Sequence, residues 1–360
     1  MALIPDPRGI VDRVRQEVER NALRARNGIK MAVGASEPPT GVTPRDPVWR
    51  NGRATLYRYR NDDVTHGPPL LIVFSLFSRA YILDLTPGNS FIEHLLKAGF
   101  DIYLIDWGEA DERDARNGLE YYVDGVIPAA IREVCRRSHS GEVNILGYCF
   151  GGDLTLMHGA HHPDAPIRSH TVVACPVDFD RMPLRDAFGG GTAADVDEML
   201  GDDGNIPANV VFSAFRSLKP VAEVTGYVDL LEKLWSDDYV AAYQAMNGWA
   251  TDHVPLAGAT ARQLLGLMGD NALMRGNVVL GGDRIDLKDV TVPFLAVLGE
   301  KDHIVPLDAA RPVLDLIGSE QKTELCLRGG HIGLVVGRTA AKTTIPTIIE
   351  FLKKQSEALV

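Results

Sequence analysis

The chain has 360 residues, 45% hydrophobic and 24% charged, close to the globular average, which excludes wholesale disorder and a small disulfide-stapled domain. Its 37 Lys and Arg against 48 Asp and Glu leave a formal charge of −11, so it has no broad basic footprint for nucleic acid. No apolar run approaches the ~18 residues of a transmembrane helix. The opening MALIPDPRGIVDRVRQEVER carries charges where a signal peptide is apolar. Cys135, Cys149, Cys175 and Cys326 are too scattered for a disulfide framework or a CxxC metal site. A reducing cytoplasm is the expected setting.

In residues 9–31 the apolar positions Val11, Val14, Val18, Ala22, Ala25 and Ile29 recur at helical spacing. This predicts a helix that packs on the body or meets a partner subunit or lipid-like surface. Residues 34–52 are rich in Pro and Gly and read as a linker, so 1–52 form an N-terminal helix plus linker. Strand-like runs follow at 54–59, 70–75, 101–105, 143–146, 171–174, 293–298 and 323–327, with helix-like stretches at 90–97, 119–137 and 154–160 between them. Short, nearly continuous apolar runs suit strands buried on both faces of a parallel sheet. The alternation predicts an α/β fold, a mostly parallel sheet with helices on both faces. Between Cys175 and Thr291 the rhythm breaks for about 115 residues, too long for a structureless loop. Helices are expected there at 192–200, 219–247 and 259–275. Residues 178–288 therefore read as a helical cap inserted into a core of 53–177 and 289–360.

The strongest local signal is the run from Val143 to Gly152, which ends Gly147-Tyr148-Cys149-Phe150-Gly151-Gly152. A strand ends, a Gly-x-Cys-x-Gly-Gly turn follows, and a helix is expected from about Asp153. This has the form of the α/β-hydrolase nucleophile elbow, with Cys where Ser is commoner. The turn is sharp, so small neighbours are needed where backbones pass closely. The helix N-terminus behind it offers free N–H groups that favour a thiolate and a developing oxyanion. The bland alternative, an inert buried thiol among packing glycines, does not account for the strand–turn–helix context. Cys135, Cys175 and Cys326 read as small packing residues.

In this fold the acid and then the base follow the nucleophile along the chain. Asp302 stands three residues beyond Gly299 at the end of a late strand, with Glu300 and Asp308 as rivals. His331 follows the next strand among Gly329, Gly330 and Gly333. The predicted triad is Cys149, Asp302 and His331. The expected oxyanion donors are the backbone N–H groups of Phe150, just after the nucleophile, and of Phe77, in the loop after the early strand. His303, beside Asp302, orients the acid or lines the way in. With Tyr148 and Ser78 it makes up the expected substrate contacts. His158, His161 and His162 read as solvated. No metal-ligand spacing such as HExxH occurs, so neither a metal nor another cofactor is expected.

A cysteine at this elbow forms a thioester, which keeps an acyl group at about the transfer potential of an acyl-CoA. At this point several motifs taken together resemble the polyhydroxyalkanoate synthase family, in its short two-subunit class III form. They are the Gly147–Gly152 box, Arg79 to Leu85, Asp101 to Gly108, Cys175-Pro176-Val177-Asp178-Phe179, Asp270 to Gly276, Glu300 to Pro306, and Gly330-His331-Ile332-Gly333. The resemblance spans roughly residues 54–335. Phe150 stands where class III relatives often have Gln, and Ser78 where they often have Asn. The resemblance implies that Cys149 holds the growing chain, that His331 activates the thiol and the incoming 3-hydroxyl, and that Asp302 supports His331. The implied substrate is a short-chain (R)-3-hydroxyacyl-CoA, with 3-hydroxybutyryl-CoA the leading case, and CoA is released. It also implies a homodimer, a second synthase subunit and a polyester chain on a cytoplasmic granule. The rivals are a dienelactone-hydrolase-like cysteine hydrolase, which shares the elbow but lacks so large a cap, and a non-catalytic granule-binding homologue.

Overall fold

The computed structural model describes residues 7–32, 38–187, 193–218 and 232–359. A nine-stranded sheet organises them. Its strands are β1 (Arg45–Asn51), β2 (Ala54–Tyr59), β3 (His66–Val73), β4 (Phe100–Asp106), β5 (Val143–Tyr148), β6 (Ile167–Val173), β7 (Phe294–Gly299), β8 (Lys322–Leu327) and β9 (Glu357–Ala358). The order is β1-β2-β4-β3-β5-β6-β7-β8, with β9 laid antiparallel on the start of β3. From β4 to β8 every pairing is parallel, whereas β1 and β2 join antiparallel. The main helices are α1 (Pro7–Ala32), α2 (Phe91–Lys97), α3 (Ile127–Ser138), α4 (Phe150–His161), α5 (Ala208–Ser217), α6 (Asp237–Thr251), α7 (Gly258–Gly269) and α8 (Ile345–Lys354).

Parallel strands need crossovers, and the crossover helices cover the sheet. Every residue of β5 and β7 is buried, so water reaches neither face there. The edge strand β8 instead exposes Lys322, Thr323 and Glu324, charges that discourage pairing with another edge. β1 lies inside the stretch that reads as a linker. Its proline explains the misreading: Pro47 sits on the sheet edge at a register shift between Pro47 and Trp49, where a missing N–H breaks no ladder. The helix expected across 119–137 is a wide π turn at Tyr121–Val126 followed by α3, whose first turn contains Pro128.

The expected N-terminal helix spans Pro7–Ala32, and Val18 and Ile29 on it are 63% and 65% exposed. Polar and charged side chains tie it to the rest. Asn27 donates to the Leu234 carbonyl and Asp237, Arg26 pairs with Asp237, and Arg20 lies over the Trp235 ring.

Between β6 and β7 the chain forms α5, α6, α7 and shorter helices at Pro183–Ala187, Ala193–Met199 and Ala272–Arg275. The helix expected at 259–275 breaks at Asn271, which takes a left-handed φ of 45°. Of the helix expected at 219–247, residues 219–231 lie outside the described residues, as do Gly189, Gly190 and Gly191. Asn271 closes this segment onto its own beginning. Its Oδ1 accepts from Phe179 N at 2.8 Å, and its Nδ2 donates to Asp178 and Asp180 at 2.8 and 3.0 Å. Two motifs of the sequence, Cys175 to Phe179 and Asp270 to Gly276, thus interlock. Arg79 pairs with Glu109 and Asp252, and Trp249 donates to the Arg79 carbonyl at 2.7 Å, which ties α6 to the loop after β3.

Asp84, 1% exposed, is the acceptor for three donors: Thr43 N at 2.9 Å, Thr43 Oγ1 at 2.7 Å and Ser90 Oγ at 2.7 Å. Buried donors stripped of their acceptor lose desolvation energy that nothing restores. Asp84→Ala is therefore expected to cost roughly 3 kcal/mol of unfolding free energy in urea. A loss under about 1 kcal/mol would contradict this assignment.

Candidate active site

The site is built on the turn between β5 and α4. Cys149 sits there at φ 53° and ψ −130°, a conformation that costs a residue with a β-carbon about 1–3 kcal/mol. Neighbouring backbone holds it in place: Cys149 N donates to the Val173 carbonyl at 2.9 Å, and Gly152 N donates to the Cys149 carbonyl at 2.7 Å. Close packing dictates the flanking glycines. A β-carbon at Gly147 would lie 2.4 Å from Gly152 Cα, and one at Gly151 would lie 2.2 Å from the Val73 carbonyl oxygen. One at Gly152 would lie 2.7 Å from Cys175 Cβ. The helix starts at Phe150, three residues before the position expected from sequence. Phe150 N is therefore the first N–H of α4 and has no intrahelical acceptor.

The structure brings the three chemically suited side chains together. His331 follows β8 and opens the short helix Ile332–Leu334. Its Nδ1 lies 2.7 Å from Asp302 Oδ2, which leaves Nε2 as the ring nitrogen available to Cys149 on the same cavity wall. The Asp302 side chain is wholly buried, and its Oδ1 accepts from Ile304 N and Val305 N at 2.9 and 2.8 Å. Both carboxylate oxygens are thus engaged and the acid is fixed. The rivals Glu300 and Asp308 are exposed. Burial pushes the His331 imidazole toward its neutral form. The charges of Asp302 and Cys149, with the hydrogen bond to Asp302, outweigh burial and raise its pKa to about 10. Tyr148 stacks on Phe74, packs its ring 5.1 Å from that of His331, and donates its hydroxyl to the His331 carbonyl at 3.2 Å.

Cys149 and His331 face a cavity of about 210 Å³. Of the residues singled out from sequence, Phe77, Ser78 and Tyr148 line it as well. His303 is exposed and stands outside that wall, where its neighbour Ile304 takes the place. The inserted segment adds an aromatic side to the wall: Phe212 and Phe215 on α5, Trp249 on α6, and His253 just after it. Sequence reading did not pick these out, and the i, i+3 spacing of Phe212 and Phe215 on one helix face was the one available signal. Phe77 joins the two halves, with its ring 5.6 Å from Phe150 and 5.5 Å from Phe215. Its N–H makes only a long contact, 3.4 Å, with Ser75 Oγ. Trp107, within the run Asp101 to Gly108, donates its indole N–H to the Phe74 carbonyl at 2.9 Å and so braces the same loop.

Residues 68–337 match the family described as alpha/beta hydrolase fold. The poly(3-hydroxyalkanoate) polymerase subunit PhaC of Allochromatium vinosum is 36% identical over 351 residues, 96% of this chain and 98% of that one. The same-named subunit of Thiocystis violacea is 35% identical over 353 residues, with 96% and 98% covered. That of Synechocystis sp. is 32% identical over 342 residues, with 91% and 90% covered. Among solved structures, a thermophilic esterase from Thermogutta terrifontis has a TM-score of 0.50 at 15% identity, over 87% of this chain and 99% of that one. At that identity the likeness bears on the fold alone. With full-length similarity to polymerase subunits and an α/β-hydrolase core, the chain belongs to the poly(3-hydroxyalkanoate) polymerase family of acyltransferases.

Proposed function

We propose that this chain polymerises (R)-3-hydroxyacyl-CoA, with 3-hydroxybutyryl-CoA as the short-chain substrate, into polyhydroxyalkanoate through a thioester on Cys149, releasing CoA. The observation that carries the reading is the alignment of Asp302, His331 and Cys149 at one wall of an aromatic cavity. The Cys149 thiolate attacks the acyl-CoA carbonyl, and the oxyanion takes N–H groups from Phe150 and Phe77. The C–S bond to CoA breaks, and the His331 imidazolium protonates the departing sulfur. The acyl group then rests on Cys149, and His331 is neutral. It next accepts the proton of the 3-hydroxyl of another hydroxyacyl-CoA as that oxygen attacks the Cys149 thioester. The ester forms, the Cys149–carbonyl bond breaks, and thiolate beside imidazolium is restored.

Charge makes this sequence self-consistent. A thiolate on Cys149 is one of the forces that keep His331 protonated, and acylation removes it. Burial then weighs more heavily and turns His331 into the base needed for the second half-reaction. Tyr148 and Ser78 border the acyl group on the cavity wall, and the rings of Phe77, Phe212, Phe215 and Trp249 limit water at the thioester. The same proposal places the enzyme at cytoplasmic polymer granules, as a homodimer with a second synthase subunit. The name "polymerase subunit" borne by its relatives supports the latter. The reaction as written calls on no cofactor, since the CoA thioester is itself the substrate.

Purified protein given 3-hydroxybutyryl-CoA is expected to release free CoA thiol together with insoluble polyester. Soluble hydroxy acid as the sole product would instead favour the cysteine-hydrolase reading. Cys149→Ala is expected to lower CoA release by at least about 10⁴-fold, because the covalent route is gone. Substantial turnover by that variant would overturn the scheme.

The raised pKa of His331 has a defined sign. The imidazolium is more stable in the folded chain than in the unfolded one, whose pKa is about 6.5. Its contribution to stability is full below about pH 6.5 and is lost as pH rises through about 10. Imidazole NMR is expected to show one histidine still protonated at about pH 8, and its pKa should fall in Cys149→Ala. Ordinary titration near pH 6.5, unmoved by that substitution, would contradict the ion pair.

A further inference from the structure

Cys149 lies at the N-terminal end of α4, and three histidines gather at the other end. His158 and His161 are in its last turn and His162 follows it. Sequence spacing alone made them solvated residues, yet His158 is only 1% exposed. Asp124, in the turn Tyr121–Val126, faces them. Its Oδ1 lies 2.8 Å from His161 Nδ1 and 2.9 Å from His162 Nε2. The ligand-capable atoms of these three residues all lie within 4.8 Å of one another.

Two further observations point to a ligand. The Nδ1 of His158 lies 2.8 Å from the Val123 carbonyl, which can only accept, so Nδ1 carries the proton. That leaves His158 Nε2 with a free lone pair, and it is buried without a hydrogen-bond partner. The His158 ring lies 4.9 Å from that of His162, and all three imidazoles line one groove. The second observation is the outer nitrogen of His161, which lies 3.8 Å from Asp283 Oδ2. Metal-bound imidazoles commonly donate their other N–H to such a carboxylate, which fixes the ring and raises its basicity.

We propose that Asp124, His161 and His162, converging beside the orphaned Nε2 of His158, form a binding site for a divalent transition-metal ion of the zinc type. Imidazole and carboxylate donors select such ions over magnesium or calcium. On binding, the ring protons move to the far nitrogens. That of His161 then points at Asp283, so the rings stay neutral and no proton need leave them. Ligand bonds of about 2.0–2.2 Å require the nitrogens and Asp124 oxygen to part by roughly half an ångström from their present contacts. The ion would tie the end of α4 to the turn before α3 and to the segment bearing Asp283. It acts on stability, because α4 is 12 residues long and places the site roughly 18 Å from Cys149.

The test uses the full, tag-free chain stripped with chelator, titrated with Zn²⁺ by calorimetry and with Co²⁺ by visible absorption. One equivalent is expected to bind, with Co²⁺ ligand-field bands and a rise in Tm. The double substitution His161→Ala, His162→Ala and the single Asp124→Asn should each weaken binding at least about tenfold and abolish the Tm rise. His162→Ala alone, with a side chain 40% exposed, keeps the test open should the double variant not fold. All four cysteines remain in each protein, so a thiol site would survive the substitutions. Unchanged affinity in the variants, or no binding to the parent chain, overturns the proposal.

Discussion

A residue with a β-carbon is held in left-handed backbone between β5 and α4, and the rest of the site depends on that constraint. Cys149 has a φ of 53° only because the surrounding backbone leaves it no alternative. Gly147, Gly151 and Gly152 let β3, β5 and the residues after β6 approach closely enough to impose it. The sulfur is thereby presented at the carboxyl ends of the parallel strands, above the first turn of α4. The same strand ends carry Asp302 after β7 and His331 after β8, so the sheet's order assembles groups that lie far apart in the chain. The strain is local and modest, on the order of 1–3 kcal/mol, against a core that runs unbroken through the sheet.

The electrostatics follow from burial. An imidazole in this place should be neutral, and an isolated carboxylate would be costly. Asp302 is tolerated because two backbone N–H groups and His331 satisfy it, and His331 stays protonated because Asp302 and Cys149 outweigh its desolvation. Each charge is thus conditional on the others. In the proposed cycle that conditionality is useful: chemistry at sulfur alters the proton affinity of the ring beside it, and the ring then takes up the opposite role.

Much of this was legible in the sequence where the physics is local. An elbow needs glycines at fixed positions around its nucleophile, and Gly147, Gly151 and Gly152 all lie within a few residues of Cys149. Asp302 follows an apolar run that reads as a buried strand, and His331 follows the next strand-like run, which forms the sheet edge. The run Arg79 to Leu85 was legible as a motif, but not its physical roles. Arg79 braces α6 and Asp84 gathers three donors, and these partners lie at distant positions. The cavity wall was not legible, because Phe212 and Phe215 on α5 and Trp249 and His253 at the end of α6 come from two segments that look like any amphipathic helix. Pro47 concealed β1, and His158, which reads as solvated in the sequence, is buried. In each case tertiary neighbours decided the outcome, and periodicity does not report them.

The account rests on Cys149 carrying the acyl group. The direct measurement is rapid acid quench after mixing with 3-hydroxybutyryl-CoA, followed by digestion and mass spectrometry of the peptide that contains Cys149. The account predicts a hydroxyacyl adduct on Cys149 that forms as CoA is released and decays as chain length grows. CoA release at full rate with Cys149 unmodified at every time, or with the adduct on another residue, would contradict it.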